Sequence, residues 1–227
     1  MILTHIKIIA VIFALSASVL SAASNDVVYN KGTQYWFGNG VQLDRSKACD
    51  YFEQSAKSGN PLAQFNLGNC YRMGEGRKQN LDLAIKWYGK AAEQNNSEAM
   101  TSLASMYLLN RPHPVDEKRV FDLLAKSAES NNKYAYFMLG YVYHHGIYVD
   151  QDDGQAIEFY QRAANLGQVL GQVLLSVAYQ RGLYGLTVDV DKSNHWRELF
   201  DFTREVKSEA LTYEEAVEFL TDNSFIW

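Results

Sequence analysis

Residues 63–92 read AQFNLGNCYRMGEGRKQNLDLAIKWYGKAA, and their punctuation divides the stretch into two helices joined by a glycine-rich loop. Ala63, Leu67, Gly68 and Tyr71 put small or apolar residues at i, i+4, i+5 and i+8, the pattern of a helix buried along one side. Gly74 follows at a helix end, where a left-handed backbone is needed. Asn80 stands four residues before Ala84, where a short polar side chain accepts hydrogen bonds from the unpaired amides of a first turn. Ala84, Trp87, Tyr88 and Ala92 then mark a second helix whose large residues wedge against the next one.

The same stretch recurs along the chain. Tyr35, Tyr71, Tyr107, Tyr143 and Tyr179 stand 36 residues apart, so the sequence is one repeat copied about five times. Leu67, Leu103, Leu139 and Leu175 form a core column. Gly32, Gly68, Ala104, Gly140 and Ser176 form the next, where a neighbouring helix must come close. Helix ends are predicted at Gly38, Gly74, Asn110, Gly146 and Gly182, and again at Gly59, Asn95, Asn131 and Gly167. N-caps of the second helices are predicted at Asp44, Asn80, Asp116 and Asp152. One residue inserted between Leu183 and Val188 brings Asp189 into the cap column and Trp196 into the column of Trp87. Stacked copies of such a repeat bury a continuous core that none could bury alone.

The pattern of Ala63, Leu67, Gly68, Tyr71, Gly74 and Gly76, followed by Asp82-Leu83-Ala84-Ile85-Lys86-Trp87-Tyr88 and Lys90-Ala91-Ala92, resembles the Sel-1-like repeat, a relative of the tetratricopeptide repeat. Leu139 to Ala164 match it nearly as well, and the resemblance covers about residues 25 to 200. The third repeat departs most, with Asn110-Arg111-Pro112-His113-Pro114 in place of the glycine-rich loop and Val120 in place of alanine. The resemblance implies an all-α, right-handed superhelical α/α solenoid that acts as a scaffold for protein partners. Bacterial members with signal peptides often work in the envelope or outside the cell.

The ends of the chain read differently. Residues 1–23 hold a short start with His5 and Lys7, an apolar run from Ile8 to Leu20, and the small residues Ser21, Ala22 and Ala23, the layout of a secretory signal peptide. The run is shorter than the roughly 20 residues a spanning helix needs. The domain plan is therefore a signal peptide at 1–23, the repeat array at 24–203 and a capping helix within 204–227, opened by a Thr212 and Glu215 capping box. After cleavage, 20 basic and 26 acidic residues remain, which gives no basis for a nucleic acid or an anionic membrane as partner. No membrane insertion is expected of the mature chain, no cofactor motif is present, and nothing sets an oligomeric state.

In the related tetratricopeptide fold, ligands lie along the concave face of the first helices, at positions the core columns leave open. Carried over by column, that frame selects Tyr29, Trp36, Phe65, Asn69, Arg72, Tyr134, Phe137, Tyr141, His144, Val173 and Val177 as contacts for a protein or peptide. Tyr134, Phe137 and Tyr141 would form an exposed aromatic stripe, unless superhelical curvature buries them between helices. Cys49 and Cys70 are nearly equidistant from the Gly59-Asn60 turn, so a disulfide fits an antiparallel helix pair. Both also share columns with plain core residues, and buried thiols fit as well.

Catalytic motifs are thin. Ser130 and Lys133 have the spacing of a β-lactamase motif but flank a helix-ending Asn131, which puts them on different helices. His144 and His145 are adjacent and diverge by about 100° on a helix, unlike a metal pair. Asp150, Asp152 and Asp153 lack calcium-loop spacing. The sequence thus points to a non-catalytic interaction scaffold of the envelope or extracellular space, such as an envelope regulator, an assembly factor or a toxin-immunity protein. The alternative is an enzyme acting on cell-wall material or β-lactams, which would need a pocket with a perturbed nucleophile and base.

Overall fold

The computed structural model describes residues 26–110, 117–207 and 212–222, and the regular elements among them are helices. In chain order these are α1 (residues 26–37), α2 (Arg45–Lys57), α3 (Pro61–Met73), α4 (Leu81–Glu93), α5 (Ser97–Asn110), α6 (Glu117–Glu129), α7 (Lys133–His145), α8 (Asp153–Asn165), α9 (Val169–Arg181), α10 (Val190–Lys207) and α11 (Tyr213–Asp222). Each repeat supplies an odd-numbered first helix and an even-numbered second helix, which makes the chain an all-α solenoid of helix-turn-helix repeats, and α11 follows the last. The signal peptide expected at 1–23, the cap expected at Asp116 and the proline-bearing loop at 111–114 lie outside the described residues. Among the described residues no helix is long and apolar enough to cross a membrane.

The helices gather into two compact units, one ending at Ala99 and the other beginning at Met100. In the first, α3 packs against both α2 and α4. Its core joins Phe52, Leu67, Ala48, Ala56 and Ala63 to a Cys49–Cys70 disulfide whose Cα atoms lie 6.3 Å apart. The bonded reading of the two cysteines is the one the structure adopts, and it ties α2 to α3. In the second unit α7, α8, α9 and α10 pack successively, and α11 folds back onto α9. That places α9 against three helices, and Val173 to Tyr179 are buried without a break.

The helix ends follow the local chemistry of the sequence. Gly38, Gly74, Gly146 and Gly182, and Gly59, Asn95, Asn131 and Gly167, all take a left-handed backbone with φ between 55° and 96°. Asn110 instead remains the last residue of α5. Asp44, Asn80, Asp152 and Asp189 accept hydrogen bonds from the amides of Lys47, Leu83, Gln155 and Lys192 at 2.9–3.0 Å. The loop between the two helices of a repeat closes on the tyrosine column. The carbonyls of Tyr35, Tyr71 and Tyr143 accept the amide nine residues on, at the cap. Tyr179 accepts the amide of Asp189, ten residues on, so the inserted residue is absorbed in the loop without loss of that bond. The tyrosine rings themselves are half-buried in the first four repeats rather than central.

The central rings belong to the second helices. A methyl built on Gly32, Gly68 or Gly140 would fall 2.5–2.6 Å from the ring of Phe52, Tyr88 or Tyr160, respectively, so glycine is the residue that admits each ring. The third repeat holds Ala104 and Leu124 in the same two columns, a larger small residue facing a smaller large one.

Candidate functional site

In the first unit the expected contact residues gather around two of these rings. Tyr29 and Trp36 on α1 pack on Phe52 with ring centroids 5.9 and 6.0 Å away, and the Arg45 guanidinium lies 4.2 Å from the Trp36 centroid. Phe65 packs 5.8 Å from the Tyr88 centroid. The Tyr88 hydroxyl donates to Asn69 Oδ1 at 2.7 Å and accepts the Nε–H of Arg72 at 3.1 Å. Burial pushes the Tyr88 phenol above its ordinary pKa, and the neighbouring Arg72 charge opposes that shift. Tyr88 is fully buried while Arg72 is exposed, so the arginine roofs a buried phenol and its guanidinium stays in water.

The second unit repeats the arrangement with different chemistry. Gly140 and Phe137 receive the Tyr160 ring as Gly68 and Phe65 receive Tyr88, with Phe137 5.4 Å from the Tyr160 centroid. Adding 72 residues to Asn69 and Arg72 leads to Tyr141 and His144. His144 Nδ1 lies 2.7 Å from Asp153 Oδ1, and its ring meets Tyr184 edge-on at 4.5 Å. The Tyr160 hydroxyl is buried with no hydrogen-bond partner among the described residues. Burial first, then the nearby Tyr184, Tyr141 and Asp153, drives the Tyr160 phenol far above its ordinary pKa. Burial and Asp153 raise Tyr184 as well.

Tyr134 on α7 is 54% exposed, with Lys133 Nζ 5.1 Å from its centroid, and Tyr141 lies two turns further along the same helix, half-buried. Phe137, Val173 and Val177 are buried, at 4%, 0% and 2% exposure, so the stripe expected to stand open is broken in the middle. Phe137 is held against Tyr160. Val173 and Val177 share the core cluster with Ala216 and Leu220 of α11. Sequence reasoning missed Tyr160 and Tyr184 as site residues and weighed Asp153 only as part of a calcium loop. One signal was present: Tyr148 and Tyr184 fall in the column of Gly40 and Gly76 and share its left-handed backbone, with φ of 67° and 56°. A non-glycine residue held there is uncommon and marks a constrained loop.

The model for the Sel1 repeat matches residues 29–60, 61–96, 97–132, 133–168 and 169–197, in the register set by the tyrosines. The chain belongs to the Sel1 repeat family. Among solved structures it is similar to a Sel1 repeat protein from Oxalobacter formigenes, at 28% identity and a TM-score of 0.70 over 78% of this chain and 70% of that one. It is also similar to c5321, described as a protective antigen present in uropathogenic Escherichia coli strains, at 26% identity and a TM-score of 0.67. That match covers 89% of this chain but 46% of c5321, so this chain spans about half the length of that Sel1 protein. A putative Sel1 repeat protein from Klebsiella pneumoniae subsp. pneumoniae shares the fold, with 19% identity and a TM-score of 0.54 over 89% of this chain and 94% of that one. No curated protein matches. Membership of the Sel1 family supports a protein-interaction scaffold.

Proposed function

We propose that this chain is a non-catalytic scaffold of the bacterial envelope or extracellular space that binds a partner protein or peptide along the concave face of its first helices. In the fourth repeat the contact residues are Tyr134, Tyr141 and His144. In the first two repeats they are Tyr29, Trp36, Phe65, Asn69 and Arg72, each of which also packs within its own unit. The observation that carries the reading is Tyr134: a tyrosine left 54% exposed in a ligand-face column, on the helix face that also presents Tyr141. Exposed aromatic rings of this kind are the anchors that protein interfaces bury.

The location rests on two supports. The first 23 residues have signal-peptide layout, and a disulfide such as Cys49–Cys70 persists in oxidising compartments. Chemistry at the second-unit site would need a nucleophile beside His144. The groups that surround that imidazole are instead the Asp153 carboxylate and aromatic rings.

The test is capture from envelope extracts by the mature chain carrying a photo-reactive residue at Tyr134, with Leu166, exposed in the turn after α8, as the control position. A cross-linked protein is expected at Tyr134 and not at Leu166, with a weaker yield when Tyr141 is changed to alanine. Equal yields at the two positions, or a yield that ignores Tyr141→Ala, would remove the proposed face.

A further inference from the structure

The second and fourth repeats bury the same tyrosine in the same socket but finish it differently. Tyr88 and Tyr160 both lie over a glycine, with that glycine's missing methyl 2.5–2.6 Å from the nearest ring carbons, and both carry a phenylalanine at 5.4–5.8 Å. In the second repeat the hydroxyl is satisfied twice, by the Asn69 carbonyl oxygen and by the Arg72 guanidinium. In the fourth those positions hold Tyr141 and His144, His144 Nδ1 is engaged with Asp153, and the Tyr160 hydroxyl has no partner among the described residues. A further exchange accompanies these: Asp153 stands where the second repeat has Leu81. The fourth repeat has thus lost a permanent cation and gained a carboxylate around an unchanged ring.

A buried polar group left unpaired is costly and rare. The twin repeat displays the group that meets this need. We propose that Tyr160 and Asp153 form a receptor for the guanidinium of a partner's arginine, which takes the place that the chain's own Arg72 fills over Tyr88. The arginine donates one N–H to the Tyr160 hydroxyl oxygen, and the Asp153 carboxylate supplies the counter-charge. Arginine suits the site better than lysine, because a planar guanidinium lies against aromatic rings, and Tyr184 and His144 present two of them, 4.5 Å apart. Access requires those two rings to part. Tyr184 is the ring that must give way, since it lies on the loop after α9 with its centroid 6.0 Å from that of Tyr160. The inference rests on the scaffold reading and names the partner group that the fourth repeat takes.

The test uses the mature full chain and a small probe, N-acetyl-arginine methylamide, with the uncharged citrulline analogue as its isostere. Binding is followed by NMR of the tyrosine and histidine rings. Saturable shifts at Tyr160, Tyr184 and His144 are expected with the arginine probe and not with citrulline. Tyr160→Phe should weaken binding by about tenfold or more, the range for one hydrogen bond to a charged donor. It should raise the thermal midpoint rather than lower it, because the hydroxyl it removes is buried without a partner among the described residues and its burial is unfavourable. Tyr141→Asn combined with His144→Arg rebuilds the second repeat's arrangement, so it should raise the midpoint and abolish probe binding.

Three results would overturn the proposal. They are equal shifts from citrulline, unchanged affinity in Tyr160→Phe, or a fall in midpoint on Tyr160→Phe as large as that of Tyr88→Phe, which would mean that an internal water already satisfies the hydroxyl. The two levels of the reading separate cleanly. A partner cross-linked through Tyr134 that binds Tyr160→Phe undiminished removes the arginine receptor and leaves the scaffold standing. Loss of the Tyr134 cross-link specificity removes the scaffold face itself.

Discussion

Replacing Gly140 by alanine tests the packing rule on which the register of the repeats depends. The new methyl would lie 2.5 and 2.6 Å from two ring carbons of Tyr160, whereas carbon atoms rest at about 3.5–4.0 Å, so roughly 1 Å of relief is needed. The ring has little room to retreat, since Tyr160 is fully buried with Phe137 at 5.4 Å and Tyr184 at 6.0 Å. Overpacking of a filled core costs about 1–3 kcal/mol, and an overlap with two rigid ring atoms belongs at the upper end. Alanine returns about 1 kcal/mol through its better helix propensity, which leaves a net loss of about 2 kcal/mol. Gly89 in α4 supplies the control, because a methyl there meets nothing within 4 Å. Gly89→Ala should stabilise by about 0.5–1 kcal/mol, so the same chemical change should differ by about 3 kcal/mol between the two sites. Urea denaturation followed by circular dichroism measures both. Gly140→Ala combined with Tyr160→Leu recreates the Ala104 and Leu124 pairing of the third repeat. The double variant should lose less than the sum of the two single losses, by about 0.5–3 kcal/mol for residues in direct contact. A Gly140→Ala protein as stable as Gly89→Ala, or a strictly additive double variant, would refute the reasoning.

Four further outcomes follow from the same structure. Tyr88→Phe should cost about 1 kcal/mol in urea denaturation, through loss of the bonds to Asn69 and Arg72, both of which water can reach afterwards. Reducing Cys49–Cys70, which closes a 21-residue separation, should destabilise the first unit by about 3 kcal/mol, seen as a lower urea midpoint in dithiothreitol that Cys49→Ala with Cys70→Ala reproduces. Asn132→Ala removes a buried side chain that accepts from the amides of Tyr134 and Ala135, and should cost about 1–2 kcal/mol with accelerated amide exchange in the first turn of α7. The Glu215 carboxylate is held below its ordinary pKa chiefly by the backbone N–H of Thr212 and then by its hydroxyl. A depressed folded pKa means that this contribution is present above the ordinary carboxylate range and lost as pH falls through the folded value. Protection of the Ala216 amide should therefore weaken on acidification towards that value, and Glu215→Gln should flatten the dependence.

The parts of this fold that were legible in the sequence are those where backbone geometry restricts residue type. A left-handed helix end admits little besides glycine and asparagine, so Gly59, Asn95, Asn131 and Gly167 announced themselves, and Asp189 could be placed across a one-residue insertion. The N-caps of the first helices were overlooked. Asn60, Asn96, Asn132 and Gln168 directly follow those turn residues and read as part of the turn, yet each accepts a first-turn amide. The ligand face was legible only in part, because column position says which way a side chain points and not what stands opposite it. Tyr134 points outward and finds water, while Val177 points the same way and is buried in the helix that α11 covers.

The interior of each repeat separates what packing demands from what it leaves undetermined. Across the first four repeats, the pairs Gly32 with Phe52, Gly68 with Tyr88, Ala104 with Leu124 and Gly140 with Tyr160 trade volume between two columns, so that a ring is admitted wherever the methyl is absent. Volume alone therefore accounts for the rings. It does not account for the hydroxyl of Tyr160, since the Phe52 ring fills its socket without one. Nor does it account for the exchange of Asn69, Arg72 and Leu81 for Tyr141, His144 and Asp153 around an equivalent ring. A phenylalanine at position 160 would pack as well and would leave no polar atom orphaned. The oxygen that the fold does not need is thus the atom in the fourth repeat that calls for an external partner.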